Sequence, residues 1–269
     1  MPTIPPHPLA RGRTADVYAW EHGQVLKLFH DWFALEDIEY ELRIARAVHA
    51  SGVQAPAVGE LIRVEERNGL VYERVVGKPM MELLPRQPWK LFGYARQMPH
   101  IHAQMHERVF TADVPPLEKK LEYKLNHAES LPASLRADLL AALKSMPGGD
   151  RVCHGDFHPA NVLVNGSETR VIDWIDASRG NPLADVARTT VIFEGAIAGR
   201  QISNPLERVA LTLFHTVYRR EYFRLRPGGM DEYRRWIPIV AGARLSENIV
   251  EIQAWLLQKA GKIRGNDPI

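Results

Sequence analysis

The stretch Val152-Cys153-His154-Gly155-Asp156-Phe157-His158-Pro159-Ala160-Asn161-Val162-Leu163-Val164, followed by Val171-Ile172-Asp173-Trp174, decides how this 269-residue chain is read. Short apolar, β-prone runs flank it, and Asp156, Asn161 and Asp173 stand at their ends. Carboxylates and amides placed there lose hydration without adding stability unless something binds them. One Asn and one Asp supply oxygen ligands that suit a hard cation such as magnesium, whose shell is completed by water and phosphate oxygens. Asp156 is then free to meet an incoming hydroxyl.

Upstream, the pattern predicts strands around one helix. Residues 17–20 and 25–29 read as a hairpin turning at Glu21-His22-Gly23-Gln24. Residues 35–49 carry Leu35, Ile38, Leu42 and Ala45, with Ile44 and Val48, at helical spacing, and Ser51-Gly52 ends the run. Residues 61–65 and 70–76 read as strands about a turn at Arg67-Asn68-Gly69, and Gly77-Lys78-Pro79 breaks the pattern. Residues 89–109, 117–129 and 134–146 are helical in period, with Pro99 expected to kink the first. Residues 151–153, 162–165 and 169–172 read as short strands, the last two joined at Asn165-Gly166. After Pro182 the chain reads as helical, with breaks near Pro205 and at Arg226-Pro227-Gly228-Gly229. The expectation is an α+β chain with a strand-rich lobe over residues 1–77, a larger helical lobe over 78–269, and a ligand cleft between them.

His154-Gly155-Asp156 with Asn161 is similar to the catalytic loop of the aminoglycoside phosphotransferase and choline kinase-like family, small-molecule kinases related to protein kinases. Ile172-Asp173-Trp174 resembles that family's metal-binding motif. The resemblance covers about residues 10 to 190 and implies a bilobal protein-kinase-like fold, with a small N-terminal antiparallel sheet lobe carrying one helix and a mainly helical C-terminal lobe. It implies transfer of the γ-phosphoryl group of ATP to a hydroxyl of a small molecule, with Mg2+ held by Asn161 and Asp173. Asp156 would take the hydroxyl proton, and His158, where protein kinases have a lysine, would face the γ-phosphate.

By the same resemblance, Arg11-Gly12-Arg13-Thr14-Ala15-Asp16-Val17-Tyr18 is the loop covering the nucleotide, with Gly12 as its glycine and Thr14 as a hydroxyl donor. Lys27 holds the α and β phosphates, and Glu41 pairs with it, among the competitors Glu36, Asp37 and Glu39. Backbone groups around Glu73 to Val75 hydrogen-bond adenine, and Asp185 braces the catalytic loop. Residue pattern adds its own argument for Lys27: it shares a strand face with Val25 and Phe29, so its charged end requires an anionic partner.

Composition bounds the alternatives. Lys plus Arg number 34 and Asp plus Glu 32, too near balance to suggest a nucleic-acid or membrane surface. No apolar run approaches the roughly 18 residues of a spanning helix, and the proline-rich start does not read as a secretory signal. Cys153 is the only cysteine, which fits a cytoplasmic protein without disulfides and reads as a buried, inert thiol. His102 and His106 share a helix face, but no third ligand is visible, so they read as structural. The basic, aromatic run at 219–226 reads as a helix with one core face. Asp176 reads either as a recogniser of a cationic acceptor or as a cap or loop charge. The glycine-poor covering loop keeps a second reading, a nucleotide-binding regulator without turnover. A protein kinase is disfavoured, because Ile172-Asp173-Trp174 replaces Asp-Phe-Gly and no Ala-Pro-Glu follows. The acceptor's identity and the oligomeric state are open.

Overall fold

Alternation of apolar residues builds the first sheet. In the computed structural model, which describes residues 4–199, 202 and 204–264, β1 (Ala10–Arg11), β2 (Ala15–Trp20), β3 (Gln24–Phe29), β4 (Val58–Val64) and β5 (Arg67–Glu73) form one antiparallel sheet in the order β1-β2-β3-β5-β4. The β2–β3 hairpin turns where expected, with His22 and Gly23 at φ 52° and 73°. One sheet face buries Tyr18, Leu26, Leu28, Val64 and Val71. The other buries Phe29 and Leu70 against Ile38 of α1 (Leu35–Ala50). Farther along α1, Ile44 and Val48 join the core of the second lobe, so this helix ties the lobes together.

Three expectations need correction here. The β4–β5 turn lies at Glu65-Glu66, not at Arg67-Asn68-Gly69, and Glu65 takes the left-handed backbone at φ 54°. Gly69 is instead inside β5, opposite Leu28 and Ile62, because a Cβ there would lie 2.7 Å from Leu26 Cδ1 and 3.1 Å from the Lys27 carbonyl. Sheet packing, not turn geometry, requires that glycine. β5 ends at Glu73 rather than at residue 76, and the supposed break contains β6 (Lys78–Pro79), paired with Val164 and Leu163.

The second lobe begins with α2 (Met80–Arg86), α3 (Leu91–Met105), α4 (Leu117–Asn126) and α5 (Ala133–Lys144). Then come β7 (Arg151–Cys153), β8 (Val162–Asn165), β9 (Glu168–Val171) and β10 (Ser178–Gly180). β6, β8 and β9 form one small sheet, β7 and β10 another. α6 (Pro182–Ala198), α7 (Pro205–Leu225), α8 (Met230–Arg244) and α9 (Gln253–Gly261) complete the lobe. Asn181 and Asn204 cap α6 and α7, each followed by proline at the first helical position. Trp236, Tyr218, Tyr222, Tyr233 and Phe214 are fully buried among these helices. The architecture is thus the bilobal one, a small sheet-and-helix lobe on a larger helical lobe. No described helix is long and apolar enough to cross a membrane.

Gly69→Ala should force β3 and β5 apart beside Lys27. Urea unfolding is expected to show a loss of about 1–3 kcal/mol, the usual cost of overpacking.

Candidate active site

Lys27 comes from the middle of β3, on the face turned towards α1. Its Nζ lies 2.7 Å from Glu41 Oε1, and Tyr72 of β5 donates to the same oxygen at 3.0 Å. Glu41 is therefore the partner, and it is the one acidic residue among those competing on α1 that is buried. Across the cleft, Lys27 Nζ stands 3.7 Å from Asp173 Oδ1. Burial by itself would lower the Lys27 pKa, but Glu41 and Asp173 outweigh it and the net shift is upward, so the ammonium stays charged.

The β8–β9 hairpin sets the other half of the site. Its register pairs Val162 with Val171, and the Ile172 amide donates to the Asn161 carbonyl at 3.0 Å. Asn161 enters β8 and Asp173 leaves β9, so the two side chains start from adjacent points of one sheet edge. Asp173 adopts φ 64°, a left-handed conformation that Asp tolerates better than most residues. Its side chain is about half exposed, at 48%. The Asn161 amide nitrogen donates to the Asp156 carbonyl at 2.9 Å, which leaves its Oδ1 as the free acceptor. An amide oxygen and an open carboxylate make a donor set that fits Mg2+.

Between β7 and β8 runs the loop carrying Asp156. His154 is buried and spans it, with Nε2 3.1 Å from the Ile172 carbonyl and Nδ1 accepting the Asp156 amide at 3.1 Å. Gly155 takes φ 79°, and a Cβ there would meet the Asp176 carbonyl at 2.5 Å, so only glycine fits. Asp156 Oδ2 lies 3.3 Å from His158 Nε2 and Oδ1 lies 3.3 Å from Arg188 Nη2. Burial opposes ionisation of Asp156, but His158 and Arg188 prevail and hold it well below the usual carboxylate range. His158 Nδ1 accepts the Ala160 amide at 3.3 Å, which fixes the proton on Nε2, towards Asp156.

The remaining expected residues lie as follows. Gly12 donates its amide to Ala15 at 2.9 Å and Thr14 accepts the His30 amide at 2.9 Å, in the β1–β2 turn. Among the described residues, no hydrogen bond or ion pair joins either of them to Lys27, Glu41 or Asp173. Glu73 gives its amide to the Ala57 carbonyl at 2.8 Å and takes the Ala57 amide on its carboxylate at 3.0 Å. Val75 is half-buried in the link to β6. Asp176 is engaged by Lys124 at 3.0 Å and Lys120 at 3.7 Å.

A family model described as the phosphotransferase enzyme family matches residues 7–208. The chain belongs to that family. The match includes every residue of the site just described, and it bears out the resemblance to aminoglycoside phosphotransferase and choline kinase-like enzymes. No curated protein sequence matches the chain significantly. Among solved structures, the fold is similar to an aminoglycoside-3'-phosphotransferase of type VIII, at a TM-score of 0.63 and 19% identity over 91% of this chain and 92% of that one. It is similar to the amicoumacin kinase hAmiN, solved with AMP-PNP, Ca2+ and Ami, at 0.63 and 15% over 97% and 89%. A choline/ethanolamine kinase family protein from Mesorhizobium loti gives 0.55 and 16% over 99% and 90%.

In this phosphotransferase family member, sequence reasoning missed several residues. Arg188 touches Asp156, and its signal was its place three residues beyond Asp185, on the same face of an otherwise apolar helix. His102 and His106 do have a third polar partner, Asp185, contrary to the expectation from sequence. Asp185 accepts His102 Nε2 at 3.0 Å, His106 Nε2 at 3.3 Å, and the amides of His154 and Gly155 at 2.6 and 2.8 Å. Tyr218 and Tyr222 hydroxyls stand 2.7 Å from the two Nδ1 atoms. These three side chains lie close enough to share a metal ion, yet one Asp185 oxygen already receives three N–H donors, so the group reads as a hydrogen-bonded brace.

Burial, reinforced by the charge of His102, pushes the His106 pKa down to about 3 from 6.5. Between those limits the unfolded chain binds a proton that the folded chain refuses, so stability falls as pH falls. In urea titrations over this window His106 should contribute a slope of up to about 1.4 kcal/mol per pH unit, which His106→Gln should flatten. An unchanged slope in the variant would assign the acid sensitivity elsewhere.

Proposed function

We propose that this chain moves the γ-phosphoryl group of ATP to a hydroxyl of a small molecule, with Asp156 receiving the hydroxyl proton. The observation that carries the reading is the meeting of three elements at one cleft: the Lys27–Glu41 pair, Asp173 within 3.7 Å of Lys27, and the Asp156–Asn161 loop. We set the lobe boundary between residues 77 and 78, supported by the pairing of β6 with β8. The nucleotide would lie under the β1–β2 turn containing Gly12 and Thr14, with adenine at the 73–75 link. The similar amicoumacin kinase was solved with AMP-PNP and Ca2+, which supports a nucleotide and a divalent ion here.

Asn161 and Asp173 would hold Mg2+, which neutralises charge on the phosphate oxygens when bound. Lys27, kept charged and aimed by Glu41 and Tyr72, adds a fixed positive end beside the transferring group. Asp156 accepts the proton of the acceptor hydroxyl, the oxygen forms a bond to the γ-phosphorus, and the bond from that phosphorus to the bridging oxygen breaks to release ADP. A carboxylate held so far below its ordinary range is a weak base. Its main work is therefore to orient the hydroxyl and take the proton late, which suits a loose transition state. His158 and Arg188 fix both Asp156 oxygens, and by the family resemblance His158 would also face the γ-phosphate.

Asp156→Asn should lower turnover about 100- to 10,000-fold, read as ADP release with Mg2+ and ATP, with an unchanged circular dichroism spectrum at assay temperature. Retained turnover would remove Asp156 from its role.

A further inference from the structure

Beside Asp156 a pocket opens between α4, α6, α8 and the segment after Asp173. It is a small recess of about 30 Å3, open to solvent, with Lys120, Lys124, Gly155, Asp176, Arg188 and Arg244 among its lining residues. Arg188 connects it to the reacting centre, for its Nε donates to the Gly155 carbonyl at 2.9 Å and its Nη2 reaches Asp156. A small molecule whose hydroxyl meets Asp156 would therefore bring a neighbouring group to the mouth of this recess.

Around the pocket the arginines are better matched than the lysines, since Arg188 also pairs with Asp156 at 3.3 Å. Lys120 and Lys124 share a single oxygen of Asp176, and Arg188 and Arg244 share Glu247, at 2.7 and 3.3 Å. Asp185, on the wall, has its oxygens occupied by the brace. Lys120 is the most poorly served cation. Its closest acceptors are the Ala177 and Ile175 carbonyls at 3.3 and 3.4 Å, and burial brings its pKa down to about 8. Arg244 is likewise brought down, to about 10, by burial and by the charge of Arg188. A cationic acceptor approaching Asp176 would meet two ammonium groups already beside that carboxylate, whereas an anion would supply the charge they lack.

We propose that the acceptor carries an anionic group, a carboxylate or a phosphate, which seats against Lys120 and Lys124 while its hydroxyl meets Asp156. This rests on the phosphotransferase reading above and names the class of its acceptor. It also resolves the two readings of Asp176, which serves as the counter-charge of the lysine pair and not as the recogniser of a cation. The competing account is that the lysines only pin the segment at residues 175–177.

The test offers matched hydroxyl compounds to the intact protein with Mg2+ and ATP and follows phosphate transfer. Glycerol is set against glycerate, glycerol 3-phosphate and 3-aminopropane-1,2-diol, and glucose against gluconate, glucose 6-phosphate and glucosamine. The expected result is a kcat/KM at least about tenfold higher for an acid or phosphate member than for its neutral and amine partners. Lys124→Met should raise KM for that acceptor about tenfold with KM for ATP unchanged, and Lys124→Arg should restore it. Preference for a neutral or amine member, or an unchanged acceptor KM in Lys124→Met, overturns the inference and leaves the phosphotransferase reading standing. If no compound is phosphorylated, calorimetry on the AMP-PNP complex separates the two. Acids or phosphates bound by the wild type and lost in Lys124→Met uphold the anion site and count against the transfer reading, whereas no binding overturns the inference.

Discussion

The Asp185 carboxylate, buried with no exposed side-chain surface, is the constraint on which the reacting loop depends. Four N–H groups converge on it, two from the loop backbone and two from the imidazoles of His102 in α3 and His106 at its C-terminal cap. A charged group taken out of water is tolerable only when its lone pairs are filled, and hydrogen bonds to an ionised acceptor are worth about 1.5–3 kcal/mol each. Asp185 also sits in the first turn of α6, where the helix dipole favours negative charge. Loop, α3 and α6 must therefore move together or not at all, and Asp156 inherits that rigidity.

Rigidity then passes outward through short hydrogen-bonded steps. His154 ties the loop to the start of the Asp173 segment, and Asn161 ties it to Asp156. From Asp173 the contact crosses to Lys27, whose own direction is set by Glu41 and Tyr72. Helix α1 belongs to both lobes, packing Ile38 under the sheet and Ile44 and Val48 in the helical core. Glu41, which aims the lysine, is thus carried by an element whose position is set by packing in both lobes, which suits the role proposed for Lys27.

Much of this was readable because the decisive residues lie close together in the chain and in distinctive order. Asp156, Asn161 and Asp173 fall within one loop and hairpin, where local turn geometry fixes their relation. Lys27 announced its need for an anion through the apolar residues sharing its strand face. Gly69 was misread as a turn because Asn68-Gly69 has turn chemistry, and only the approach of Leu26 shows why a glycine belongs in the strand. β10 escaped notice because Ser178-Arg179-Gly180 has no apolar alternation; it is a strand because β7 lies beside it.

The sequence by itself determined most of the element types and the order of the lobes, because periodicity and short-range spacing encode those directly, and its family resemblance singled out Asp156, Lys27, Asn161 and Asp173 as candidates. Tertiary structure alone decided that Asp185 gathers His102 and His106 from about eighty residues away, and that Asp176 is held by two lysines some fifty residues earlier. Such pairings depend on how helices pack, and a helix offers many side chains of which packing chooses a few. Charge balance in a pocket is a sum over those choices, so no local pattern in the chain could have revealed it.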